Sequence, residues 1–125
     1  FLCGMARGCD FWFCEAVLEL RKRHEEVSLE AVIPYAGQTD RWSEEDRERY
    51  RRLLSCCNYK TILQETYSAG CMYRRNRYLV DHAALLIAVH DGLTGGTQQT
   101  MAYAMRRGIE IMDTPSVLEK KPCGV

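Results

Sequence analysis

The sequence has neither a long hydrophobic run nor an excess of charge of one sign. Its longest apolar run, residues 83–89, is of strand length, far below the roughly 18 residues of a membrane span. Seventeen basic side chains balance seventeen acidic ones, so neither a membrane nor nucleic acid is an expected partner, although a local basic patch stays open. At 125 residues, 46% hydrophobic and 27% charged, the chain is predicted to be one soluble domain.

The usual metal and disulfide spacings are also absent from the sequence. The cysteines are odd in number and include no C-x-x-C pair, and the three histidines lie far apart. This pattern predicts neither a disulfide framework nor a zinc site, and favours reduced thiols used as small apolar residues in a cytoplasmic protein. No signal peptide is recognisable, and we expect no metal. The cysteines stand at positions 3, 9, 14, 56, 57, 71 and 123.

The start of the chain resembles the middle of a fold. Phe1 takes the place of an initiator methionine, and Leu2 and Cys3 resemble the end of a strand that runs into a glycine turn. We therefore expect the first strand and helix of the domain to lie upstream. A strand left at the edge of the sheet would then be exposed or paired with a second copy, which keeps a homodimer open. The domain is predicted over residues 1–113 and a tail over 114–125.

Alternating periodicities predict strands that alternate with helices. The fold class expected is α/β, a three-layer Rossmann-like sandwich with a mainly parallel sheet. Helices are predicted over 10–24, after Ser43, after Ser68 and over 97–107, where Gly108 supplies a left-handed cap. Strands are predicted over 29–34, 60–64, 85–89 and 109–112.

The same patterns predict which side chains face the core. The run Leu85–Val89 is typical of a strand that is covered on both faces. The charged helix after Ser43 is expected to pair Glu45 with Arg49 and Glu48 with Arg52. The inward side chains are predicted to be Phe13, Ala16, Val17 and Leu20 in the first helix, Tyr50, Leu53 and Leu54 in the second, and Met72, Leu79, Val80 and Ala83 in the third.

Two glycine turns that follow strands and open helices are the candidate binding sites. They span residues 4–10 and residues 95–100. Glycine lets the backbone approach a ligand, and the N–H groups at a helix start attract anions such as phosphate. The alternative is that both are ordinary turns, capped by Asp10 and Thr97. Ligands bind at the carboxyl ends of parallel strands, so we expect the two turns to converge on one cleft.

A basic segment lies between the two turns. Arg75 and Asn76 belong to the string Arg74–Arg77, and guanidinium groups hold phosphate oxygens bidentately. An exposed, solvated helix face is an equally good interpretation. Trp42 either stacks on a base or closes the core, and His82 and His90 are expected to be structural or solvent-exposed. No Ser–His–Asp order, Walker loop or paired acid–base carboxylates is evident, which favours binding over catalysis.

Taken in order, these motifs resemble the SLOG superfamily, which includes the DNA-processing protein DprA and the LOG proteins. The segment Gly4–Asp10 resembles its G-x-A-x-G-x-D turn, and the later motifs resemble the YpsA-like branch. Those motifs are Arg41-Trp42-Ser43, Arg75–Asp81, Asp91-Gly92, and Gly95-Gly96-Thr97 with Thr100.

The resemblance implies a Rossmann-like domain that binds a nucleotide or a nucleotide-derived ligand, such as ADP-ribose, NAD or a nucleoside phosphate, in a bacterial cytosolic regulatory role. No other cofactor is implied. By position, the implied ligand-binding residues are Gly4, Met5, Ala6, Gly8, Asp10, Arg75, Asn76, Gly95, Gly96, Thr97 and Thr100.

One departure from the pattern separates the alternative functions. LOG phosphoribohydrolases carry P-G-G-x-G-T-x-x-E, and Thr100 stands where this glutamate would be. Threonine is no general base at neutral pH, which speaks against hydrolase activity of this type. An N-glycosidase acting on nucleoside monophosphates is kept as the second hypothesis, with Asp10 as the carboxylate that remains for catalysis. Single-stranded DNA binding, as in DprA, is a third, and the zero net charge speaks against it.

Overall fold

The computed structural model describes residues 1–90, 92 and 94–114. Within them strands and helices alternate along the chain. The elements are β1 (Leu2–Cys3), α1 (Cys9–Arg21), β2 (Glu30–Ile33), α2 (Glu44–Cys56), β3 (Tyr59–Ile62), α3 (Cys71–Asp81), β4 (Leu85–Ala88), α4 (Gly96–Arg107) and β5 (Glu110–Asp113). The expected α/β class of Rossmann-like type is confirmed, because the strands that pair do so in parallel. The predicted tail lies outside the described residues except for Thr114.

The chain divides into two compact units, and the first comprises residues 1–75. Its sheet has the order β1-β2-β3, with Cys3 opposite Ala31 and Ala31 opposite Lys60. The core lies between this sheet and helices α1 and α2, where Phe11, Leu29 and Leu53 are buried. Both helices begin where the sequence predicts, and the Ser43 hydroxyl accepts a hydrogen bond from the Asp46 N–H (3.2 Å).

The second unit begins at Asn76 and contains the parallel pair β4-β5. Helix α4 joins the two strands and packs on both. It ends at Gly108, whose φ of 73° is the left-handed cap that the sequence predicts. None of the helices in the described part of the chain is long and apolar enough to cross a membrane.

The predicted inward face of α1 is wrong by about one residue position. Phe11, Cys14 and Val17 are buried, whereas Ala16 and Leu20 are exposed and Phe13 is half-buried. The prediction started from Phe13 and gave cysteine no weight. Cys14, with none of its surface exposed, is one of the small apolar residues that set the register of this face.

The prediction that β4 is covered on both faces is also wrong. Leu85 and Ile87 are 38% and 39% exposed. Met112, which lies beside Ile87 on β5, is 46% exposed. Leu86 and Ala88 point to the other face and are better covered. One helix, α4, packs on these two strands, and a single helix covers a single face.

Other side chains of α2 and α3 differ from expectation. Arg49 pairs with Glu15 of α1 at 2.9 Å instead of with Glu45. Met72 was predicted to face inward and is 40% exposed, whereas Val80 is buried as predicted. Helix α3 begins at Cys71, so Ser68 lies too early to cap it, and its buried face contains Arg75, a residue that hydrophobic periodicity does not select.

Candidate functional site

The first turn, residues 4–10, joins β1 to α1 through an unusual backbone. Met5 has φ 58° although it is not glycine, and it is fully buried. Gly8 has φ 86° and precedes the helix without a side-chain cap, so Asp10 is not the cap that the alternative interpretation expected. Phe11 donates its N–H to the Gly8 carbonyl (3.0 Å).

Asp10 and Arg75 both lie against Gly4. The Asp10 carboxylate accepts a hydrogen bond from the Ala6 N–H (3.0 Å), and Arg75 Nη1 donates to the Gly4 carbonyl (2.5 Å). Arg75 is only 7% exposed, so the exposed helix face considered from the sequence is wrong for this arginine. Burial lowers the pKa of Arg75, and the Asp10 charge opposes that shift.

Gln38 is a buried polar residue that the sequence analysis did not select. It is 5% exposed, and its Nε2 donates to the Met5 carbonyl at 3.4 Å. Its Oε1 is buried and has no hydrogen-bond partner among the described residues. A single glutamine in a loop has no periodicity or spacing that would have found it.

Trp42 closes the core of the first unit. Its ring makes edge contacts with Phe11 and Tyr50, at centroid distances of 6.0 and 5.6 Å. The Arg7 guanidinium lies over its face at 5.0 Å from the centroid. Of the two roles considered from the sequence, these contacts match the structural one.

The second turn, residues 95–100, opens α4 in the second unit. Gly95 is extended and caps the helix without a side-chain hydrogen bond, so Thr97 is not the cap. The first turn of α4 holds no acidic residue, and its last turn holds Arg106 and Arg107. The lack of an acidic side chain leaves the positive end of the helix dipole at Gly96 uncompensated, whereas the two arginines compensate the negative end. The Thr100 hydroxyl donates to the Gly96 carbonyl (2.7 Å) within the helix.

A concave surface that encloses a volume of about 520 Å³ lies at the start of helix α4. Asn76 is close to it, because a Cβ placed on Gly96 would lie 3.8 Å from Asn76 Nδ2. The structure therefore brings Asn76 together with Gly96, and separately Arg75 with Gly4 and Asp10. The lining residues are Val89, His90, Thr94, Gly95, Gly96, Thr97 and Gln98.

His90 belongs to this surface, although the sequence analysis treated it as structural or solvent-exposed. Its Nδ1 accepts a hydrogen bond from the Gly92 N–H (3.0 Å), and its Nε2 lies 3.1 Å from Asp113 Oδ1. Its position just beyond the end of β4 is the signal that could have found it, since ligands bind at that edge of parallel sheets. Asp91, part of the predicted motif, lies outside the described residues.

Arginines of the second unit contact Tyr103 and Asp81. Arg77 and Arg106 lie over the Tyr103 ring, at 4.7 and 5.8 Å from its centroid. Arg107 Nε lies 3.4 Å from Asp81 Oδ1. Within the part of the chain that the structure describes, no group of three or more histidine, cysteine or acidic side chains is placed to hold a metal ion.

Comparison with known proteins supports the order of motifs seen in the sequence. A family model named YpsA and described as the YspA SLOG family matches residues 1–115. The chain belongs to this family. The resemblance to the YpsA-like branch of the SLOG superfamily is thereby confirmed.

Curated relatives of this chain come from Bacillus and Brevibacillus, among other bacteria. An uncharacterized SPbeta prophage-derived protein, YoqJ of Bacillus subtilis, is 28% identical over 85% of this chain and 69% of its own length. UPF0398 proteins of Bacillus pumilus and Brevibacillus brevis are each 24% identical, over 75% and 76% of this chain. The chain spans about half the length of these two relatives (52% each).

Proposed function

We propose that this chain binds a nucleotide or nucleotide-derived ligand, such as ADP-ribose, NAD or a nucleoside phosphate, with the main-chain N–H groups of a glycine turn. The observation that carries the proposal is the start of α4. There two glycines open a helix, no acidic side chain lies in the first turn, and a concave surface of about 520 Å³ adjoins it.

The electrostatics of the second turn suit a phosphate group. A helix N-terminus carries roughly half a positive charge together with unsatisfied N–H donors. The Thr97 and Thr94 side chains and the Asn76 amide add neutral polar groups near Gly96. A carboxylate at the same place would repel a phosphate, and the first turn of α4 has none.

The biological setting is a proposal of the same kind. Within the YspA SLOG family we propose a regulatory role in the bacterial cytoplasm, in which the ligand is a signal and not a substrate. A homodimer is compatible with this role.

No contact among the described residues specifically favours either alternative function. For an N-glycosidase, the Thr100 hydroxyl donates within its own helix, and the Asp10 carboxylate accepts from Ala6. For single-stranded DNA binding, Arg106 and Arg107 contact Tyr103 and Asp81 and the net charge is zero. We therefore propose binding, and no catalytic residue.

Isothermal calorimetry with ADP-ribose, NAD and AMP tests the proposal. We expect saturable binding by the wild-type chain and an affinity at least roughly tenfold lower for Gly95→Ala and Gly96→Val, about 1.4 kcal/mol. A side chain there blocks close approach of the phosphate to the main chain. Gly95 is extended with no atom within 4 Å of its added Cβ, so Gly95→Ala leaves the fold intact.

Ala102→Val is the matched control, because Ala102 is an exposed residue of the same helix. It should bind like the wild type. The proposal fails if no compound of the panel binds, or if Gly95→Ala and Gly96→Val both bind like the wild type.

A further inference from the structure

We propose that Arg75 is a positioning residue for the first turn: its guanidinium group holds Gly4 in place beside Asp10 and affects ligand binding through the shape of that turn, without touching the ligand. The inference rests on the proposed function, because the first turn is one of the two glycine turns that are candidates for holding the ligand. It assigns Arg75 a different role from the phosphate contact that the family resemblance implies.

The geometry around Gly4 supports this role. Arg75 Nη1 donates to the Gly4 carbonyl at 2.5 Å, from a side chain that is 7% exposed. A Cβ placed on Gly4 would lie 2.7 Å from Arg75 Nη1 and 3.0 Å from Asp10 Oδ2. The guanidinium and the carboxylate therefore reach the same point beside the Gly4 backbone, which is why that position needs glycine.

Charge explains why these two groups belong together. A guanidinium buried without a negative partner is strongly disfavoured, and Asp10 is the largest favourable charge acting on Arg75. Asp10 in turn accepts the Ala6 N–H (3.0 Å). Arg75 of α3 and Asp10 at the start of α1 thus lie on the same side of Gly4.

The backbone of the turn needs such support. Met5 is a buried residue with φ 58°, a conformation that costs free energy for any residue except glycine. Such a conformation persists only where surrounding contacts hold it. Gln38 holds the Met5 carbonyl from one side, and Arg75 holds the neighbouring Gly4 carbonyl.

Two measurements on Arg75→Lys test the role, with Arg74→Lys as the matched control on the exposed side of α3. The first is the hydrogen-exchange rate of the Ala6 amide in the ligand-free protein. The second is the affinity for ADP-ribose by calorimetry. Lysine keeps the charge but lacks the planar fork that engages two groups at once.

We expect Arg75→Lys to speed Ala6 exchange at least tenfold and to weaken ADP-ribose binding at least fivefold, while Arg74→Lys changes neither. If Arg75→Lys does not fold, Gly4→Ala replaces it, since its Cβ displaces the same guanidinium, and the same faster exchange is expected.

Unchanged Ala6 exchange overturns the inference. Weaker binding with unchanged exchange identifies Arg75 as a direct ligand contact, which also overturns it. If wild-type protein binds no ADP-ribose, the proposed function fails for this ligand, while the Ala6 exchange rates still decide whether Arg75 positions the turn.

Discussion

At the scale of single residues, burial shifts the pKa values of side chains that look ordinary in the sequence. Arg75 resembles a surface residue in the sequence and is buried against Gly4. Cys3 is 2% exposed, and burial, with the nearby Asp10 charge, raises the pKa of its thiol from 9.0 to about 12. The thiol therefore stays neutral in the folded protein at a pH where an exposed thiol ionises.

This raised pKa predicts a loss of stability in alkali. Because the folded value exceeds the unfolded one, the contribution of Cys3 is fully present below pH 9 and is lost as pH rises through 12. At pH 10 the wild type should lose about 1.4 kcal/mol more than Cys3→Ala, measured by urea unfolding under reducing conditions at pH 7 and 10. Cys9→Ser, at an exposed cysteine, should behave like the wild type. Equal losses in wild type and Cys3→Ala would refute the claim.

At the scale of elements, the ends of helices were easier to predict than the buried faces of helices and strands. Ser43 and Gly108 mark helix ends by local chemistry, a hydroxyl that accepts an N–H and a backbone that takes positive φ, and both predictions are confirmed. Faces depend on what packs against the helix. The inward side of α1 and the cover of β4 were therefore wrong, because the pattern within a segment does not show its neighbours.

The capping of α2 can be tested by one substitution. Ser43→Ala removes the acceptor for the Asp46 N–H and should lower the free energy of unfolding by about 1 kcal/mol. Ser55→Ala is the control in the same helix, because the Ser55 hydroxyl donates to the Arg52 carbonyl at an exposed site where alanine is the better helix former. Thermal or urea unfolding of both variants gives the comparison. Equal effects would mean that the cap contributes nothing specific.

At the scale of the whole molecule, the ordered motifs predicted the family, and individual motifs did not predict the roles of their residues. The match of residues 1–115 to the YspA SLOG family confirms the resemblance. Within it, Gly95 and Gly96 open a helix as expected, whereas Gly4 provides room for Arg75 and Asp10. Gln38 could be recognised only from the folded arrangement, because its importance comes from its contact with Met5. His90 lies just beyond the end of β4, a position that could have indicated it from the sequence.

The central claim is that main-chain N–H groups at the start of α4 hold a phosphate-bearing ligand. Titration of ¹⁵N-labelled protein with ADP-ribose, followed by amide chemical shifts, tests it most directly. We expect saturable shifts at Gly96 and Thr97, and none at Gly108 at the other end of the helix. Saturable shifts that leave Gly96 and Thr97 unmoved, or no shifts at millimolar ligand, would contradict the account.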